Sequence, residues 1–136
     1  MTRINIVNPS ELTDQHLVAE YREIFMVGSS LQRSLKSKSW DIKSIPQRYT
    51  LNKGHVKFFY NKGKYLDNRY VEIRTEMKRR GFKPDSNRRF DTSPFVKNNL
   101  YKDWMPTIED QKIIRQRIAE RISAKSNWYR KTEYDR

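Results

Sequence analysis

Between Leu17 and Leu35 the chain sets Leu17, Tyr21, Ile24, Gly28, Leu31 and Leu35 three or four residues apart. That interval lines them along one face of an α-helix. Thr13 stands where an N-cap is wanted, so a first helix is predicted over about residues 14 to 37. A second is predicted from about Lys64 to Arg80, with Leu66, Tyr70, Ile73 and Met77 on its inner face and Gly81 as the C′ residue. Thr107, followed three residues later by Asp110, reads as a capping box, and Ile114, Ile118 and Ile122 carry a third helix to about Ala124. The segments between them keep no period. Ser39 to Gly63 holds Pro46, Gly54 and the cluster Phe58-Phe59-Tyr60, while Phe82 to Pro106 holds Pro84, Pro94 and Pro106. The expectation is an all-α fold, a single compact domain over residues 1–136, with three main helices joined by long irregular loops. The N-terminal segment is expected to pack near the helices. Loops of this length in a small domain commonly carry function.

Charge narrows the class of partner. Lys and Arg number 29 against 16 Asp and Glu, a formal net charge of +13, and such a surface favours a polyanion, nucleic acid first. A membrane is the competing polyanion, but no stretch approaches the roughly 18 apolar residues of a spanning helix. The N-terminus lacks an apolar signal core, so a soluble protein is expected. Cysteine is absent, which excludes disulfides and thiolate metal sites. His16 and His55 are the two histidines, too few for a zinc cage. Neither a metal nor another cofactor is expected.

The N-terminus offers a nucleophile. If Met1 is trimmed, as a small second residue permits, the α-amine of Thr2 is the one amine with an ordinary pKa near 8 rather than 10.4. Roughly a tenth of it is unprotonated at pH 7, against well under a hundredth of any lysine, which suits it to attack an aldehyde-like carbon. With Met1 retained, the amine is displaced by one residue and Thr2 cannot form an imine. On the first helix His16, Glu20 and Glu23 fall within about 60° of one another, and the apolar stripe is centred roughly 90 to 100° away. Two carboxylates therefore share a polar face. Such a face is ordinarily just solvated; it becomes a site if the N-terminus returns to it.

Met1-Thr2-Arg3-Ile4-Asn5, Ser10-Glu11-Leu12, Asp14-Gln15-His16-Leu17, Ala19-Glu20-Tyr21-Arg22-Glu23, Gly54-His55-Val56, Phe58-Phe59-Tyr60, Arg80-Gly81-Phe82 and Trp128-Tyr129 run in that order along nearly the whole chain. In these blocks the sequence resembles the phage pyrimidine-dimer DNA glycosylase, or endonuclease V, family. The resemblance implies a monomeric repair enzyme that excises a damaged pyrimidine from lesion-containing double-stranded DNA and then cleaves the strand as an abasic-site lyase. It implies Thr2 as the imine-forming nucleophile and Glu23 as the carboxylate that stabilises positive charge on the sugar and helps move protons. No metal or diffusible cofactor enters that scheme, and the place of action is cytoplasmic DNA in a bacterial or phage-infected cell. The DNA-holding residues it implies are Arg3, His16, Arg22 and Arg117, with Arg121 standing where a lysine is usual. Arg117 and Arg121 are four apart on the third helix and flank its apolar stripe, so they are able to grip one strand together. Trp128 and Tyr129 have two readings: a platform for exposed bases, or a cap on the core.

The chain also departs from the family. Met26 stands where an arginine is usual, after Phe25 in place of proline, and Arg33 on the same helix side is the candidate to compensate. The loop after Trp40 is shifted by a residue, and the ending Lys131-Thr132-Glu133-Tyr134-Asp135-Arg136 lacks the family's tyrosine-rich tail. Two other classes compete with the enzyme. One is a non-catalytic architectural duplex-DNA-binding protein; the other is an N-terminal-nucleophile hydrolase using the Thr2 hydroxyl, which so basic a surface does not suit.

Overall fold

The stripe that begins at Leu17 builds helix in two pieces rather than one. In the computed structural model, which describes residues 3–132, α1 spans Asp14–Glu23 and α2 spans Phe25–Leu35. Thr13 caps α1 as expected, its side-chain oxygen accepting the His16 N–H at 3.2 Å. Ile24 joins the two with no side-chain cap on α2. At the joint the carbonyl of Arg22, which an unbroken helix would give to the N–H of Met26, accepts instead from the Arg88 guanidinium at 3.2 Å. Phe25 meanwhile turns into an aromatic group with Tyr70 and Phe90, ring centroids 5.2 and 5.9 Å away.

The first irregular segment contains the four-residue α3, His55–Phe58, and the second contains α5, Ser93–Lys97. No strand occurs among the described residues. The second predicted helix is α4, Gly63–Arg79. Gly81, at φ +90°, ends it as expected: Gly81 N–H donates to Lys78 and Phe82 N–H to Met77, both near 3 Å. Its first residue is also fixed by space, because a Cβ on Gly63 would sit 2.5 Å from the Phe95 ring. The third is α6, Ile108–Ala124, and both halves of the Thr107/Asp110 capping box form. Of its five isoleucines only Ile114 is fully buried.

Leu17, Val27 and Leu31 from α1 and α2, with Ile24 of the joint, meet Leu66 and Ile73 of α4 and the rings of Phe58, Phe59 and Phe95 in one core. Burial of each such side chain contributes about 1.5–3 kcal/mol before conformational entropy is subtracted. The unusual member of this core is residues 4–7, which are buried yet belong to no helix. Buried peptide groups must find partners, and here side chains supply them. Ile4 N–H donates to His55 Nε2 at 2.9 Å and its carbonyl accepts from Tyr49. The Asn5 N–H and side-chain amide both donate to Glu20 Oε1. The Asn5 and Val7 carbonyls accept from Arg69, and the Ile6 carbonyl accepts from Gln111 of α6. Farther along, Arg80 donates to the carbonyls of Pro9 and Ser10 while pairing with Asp14 and Glu76.

Arg69 and Glu20 meet at 2.7 Å, side chains 4% and 0% exposed. Burial opposes the guanidinium charge, but Glu20 outweighs it and holds Arg69 above its usual pKa. Removing one member of such a pair strands the other in the core. Arg69→Met is expected to lose about 3–5 kcal/mol of unfolding free energy, measured by urea titration; a loss below about 1 kcal/mol would show that the N-terminal segment has other sufficient anchors.

Candidate active site

Holding residues 4–7 against α1 brings the N-terminal end of the chain to the polar face on which His16, Glu20 and Glu23 were predicted to lie together. Arg3, Asn5, His16, Ala19, Glu20, Glu23, Arg117, Ile118, Arg121 and Tyr129 line one open cleft of about 260 Å³. Its walls are the N-terminal segment, α1, the middle of α6 and the tail that follows α6.

The two carboxylates are not equivalent. Glu20, 1% exposed, is consumed by Asn5 and Arg69, so the solvated-face description fails for it. Glu23 is half-buried and forms no ion pair among the described residues. With Glu20 neutralised by Arg69, the cleft carries Arg3, Arg117 and Arg121 against Glu23. Burial, and after it the nearby charge of Arg117, holds Arg3 below its ordinary pKa. An arginine keeps its proton through such a shift, and a site with surplus cations is built for an anion.

His16 is not one of those cations at neutral pH. Burial, then Arg117 and Arg121, push it below its usual 6.5. The Thr13 hydroxyl oxygen, already accepting the His16 N–H, lies 2.7 Å from Nδ1. A hydroxyl can donate to or accept from a ring nitrogen, so the contact fixes the orientation of the imidazole beside its own helix cap. Tyr129 stacks flat on the imidazole, centroids 4.8 Å apart and planes within 6°. The tail that brings Tyr129 there is laced to α1: Gln15 donates to the Trp128 carbonyl and accepts from Arg130 N–H, and Asp14 accepts from Thr132. Tyr129 therefore lines the cleft rather than capping the core, and Trp128 stands 55% exposed, edge-on to it.

Among the predicted site residues, Arg3, His16, Glu23, Arg117, Arg121 and Tyr129 converge. Thr2 lies outside the described residues. Arg22 is exposed and outside the cleft lining, as are Arg33 and Met26. No three His, Asp or Glu side chains gather to hold a metal among the described residues.

Sequence reasoning missed the residues that fix the N-terminal segment. His55 is buried, its Nδ1–H donating to the Thr50 carbonyl at 2.8 Å while Nε2 accepts from Ile4. Both ring nitrogens are thus committed in the neutral form. The available signal was the block Gly54-His55-Val56, which carried the resemblance without a role. For Arg69 the signal was an arginine on the same helical face as Leu66, Ile73 and Met77.

A family model described as pyrimidine dimer DNA glycosylase matches residues 1–90. That span includes Arg3, His16 and Glu23 together with Tyr49, His55 and Arg69; Arg117, Arg121 and Tyr129 lie beyond it.

Burial pushes His55 down to about 4. The unfolded chain protonates this histidine near 6.5, so between those values unfolding takes up a proton. The stability owed to neutral His55 is complete above about pH 6.5 and drains as pH falls to about 4, by ~3 kcal/mol in all. Urea unfolding of the wild type at pH 7 and pH 5 is expected to differ by ~2 kcal/mol on this account, and His55→Gln should shrink the difference by more than half. An unchanged difference in the variant would remove His55 as its source.

Proposed function

The chain belongs to the pyrimidine dimer DNA glycosylase family, and on that premise we propose that it excises a damaged pyrimidine, a cyclobutane dimer first, through an imine on the Thr2 α-amine and then cleaves the strand. One observation carries this reading: Asn5 is bonded to Glu20 of α1, three residues from Thr2, so that Arg3 and Glu23 share a cleft with Arg117 and Arg121.

In the proposed reaction the unprotonated amine attacks C1′ of the deoxyribose as the glycosidic bond breaks and the base leaves with the bonding electron pair. Glu23, which forms no ion pair among the described residues, stabilises positive charge at the sugar carbon and relays protons as the ring opens to the imine. The protonated imine draws electrons from C2′; a C2′ proton is lost, the C3′–O bond breaks and the phosphate departs. Arg3, Arg117 and Arg121 take phosphate oxygens on either side of the reacting sugar. Neutral His16 presents its imidazole to the substrate, and Tyr129 supports its ring. A damaged step costs less to unstack than an intact one, which favours the lesion at this cleft. Arg22 and the exposed Trp128 contact DNA outside the cleft.

Borohydride trapping on a dimer-containing duplex and on an abasic duplex, followed by mass spectrometry of the N-terminal peptide, is expected to find a reduced adduct on the Thr2 amine. No adduct on either substrate, with tight duplex binding retained, would leave an architectural DNA-binding protein. Glu23→Gln is expected to slow strand cleavage by about 10²- to 10⁴-fold with duplex affinity preserved; unchanged turnover removes Glu23 from the chemistry.

A further inference from the structure

Four arginines pair with acids, Arg79 with Glu76 at 3.6 Å and three more closely. Arg69 meets Glu20, Arg80 meets Glu76 and Asp14, and Arg115 meets Glu11, all at 2.7 to 3.0 Å. Arg88 is held as firmly but by neutral groups alone. Its guanidinium carbon lies 3.7 Å from the Phe25 ring centroid and 4.7 Å from that of Tyr21, and Nη2 donates to the Arg22 carbonyl. Its backbone is pinned as well: Tyr70 OH donates to the Arg88 carbonyl, and Asp85 N–H, three residues earlier, donates to Tyr21 OH. No described carboxylate lies within ion-pair distance of it.

Two ring faces order the side chain without cancelling its charge. Of five N–H donors, one is used by a protein carbonyl, which leaves a forked set for another acceptor. The Arg22 peptide on which it rests is adjacent to Glu23 of the cleft, and the Arg22 side chain is exposed there without an ion pair. Arg89 next to it is exposed too, its guanidinium donating to the Ser86 and Arg88 carbonyls. Charge thus runs from the cleft over the joint between α1 and α2.

We propose that Arg88, with Arg22, forms a phosphate clamp at this joint, which holds the DNA backbone beside the cleft and outside the set of Arg3, Arg117 and Arg121. This rests on the reading of the protein as a DNA-acting glycosylase.

The test is the salt dependence of binding to an undamaged duplex and to a duplex with a stable abasic-site analogue, by fluorescence anisotropy. Arg88→Met keeps an apolar stem over Phe25, and Arg88→Lys keeps the charge. Loss of one phosphate contact makes the slope of log K against log salt shallower by about 0.9, or about 3.5-fold less change in affinity between about 50 and 200 mM salt. Arg88→Met is expected to show that change on both duplexes and Arg88→Lys to keep most of the wild-type slope. A wild-type slope in Arg88→Met, with only a lowered melting temperature, would reduce Arg88 to a strut for the joint and overturn the clamp. In the wild type the Arg88 Nε–Hε NMR resonance, assigned by its loss in Arg88→Lys, should move on duplex addition even if Arg88→Met does not fold; an unmoved resonance overturns it equally. Failure of the wild type to bind either duplex would overturn the glycosylase reading itself, a result separable from the others.

Discussion

The fold turns on a buried acid and base that between them hold a strip of chain with no secondary structure. Glu20 takes the amide of Asn5 on one oxygen and Arg69 on both, while Arg69 reaches past it to the carbonyls of Asn5 and Val7. Such a pair adds little net stability over an apolar replacement of the same shape, since desolvation offsets most of the attraction. What it supplies is position. An isolated strip has no ladder to satisfy its peptide groups, and without Glu20, Arg69, Tyr49, His55 and Gln111 residues 4–7 could not be buried at all. Every feature of the cleft near the N-terminus follows from that.

Much of the scaffold was legible because helix ends and apolar stripes are local signals. Thr13, Gly81 and the Thr107/Asp110 pair terminate helices where their side-chain chemistry says they should. The joint at Ile24 was not legible, because a continuous stripe from Leu17 to Leu35 conceals a break whose freed carbonyl is taken by Arg88, more than sixty residues away. Glu20 shows the same limit. Its spacing put it correctly beside Glu23 on one face, but spacing cannot say that a distant arginine neutralises one of the two. The convergence of Arg117, Arg121 and Tyr129 with Arg3 came from resemblance rather than periodicity, since nothing local relates α6 or the tail to the first helix.

The electrostatic division of labour is plain across the molecule. Arginines that organise the core are matched with carboxylates, whereas Arg117, Arg121, Arg22 and Arg88, around the cleft and the α1–α2 joint, form no ion pair among the described residues. His16 follows the second group by losing its charge: a histidine among Arg117 and Arg121 is better tolerated neutral. Its ring is then held by Thr13, a helix cap serving also to orient a side chain. The local architecture of α1 thus reaches directly into the polar character of the cleft.

The side-chain partners of residues 4–7 come from far along the chain. Sequence separations run from 15 for Asn5 with Glu20 to 51 for Ile4 with His55, 62 for Val7 with Arg69 and 105 for Ile6 with Gln111. Contacts that distant close late, after their loop entropy has been met by the rest of the fold. The arginines of α1 and α6, by contrast, are in place as soon as their helices form. Attraction for a polyanion therefore depends on less of the fold than the ordered cleft does, and a change that frees residues 4–7 is expected to separate the two.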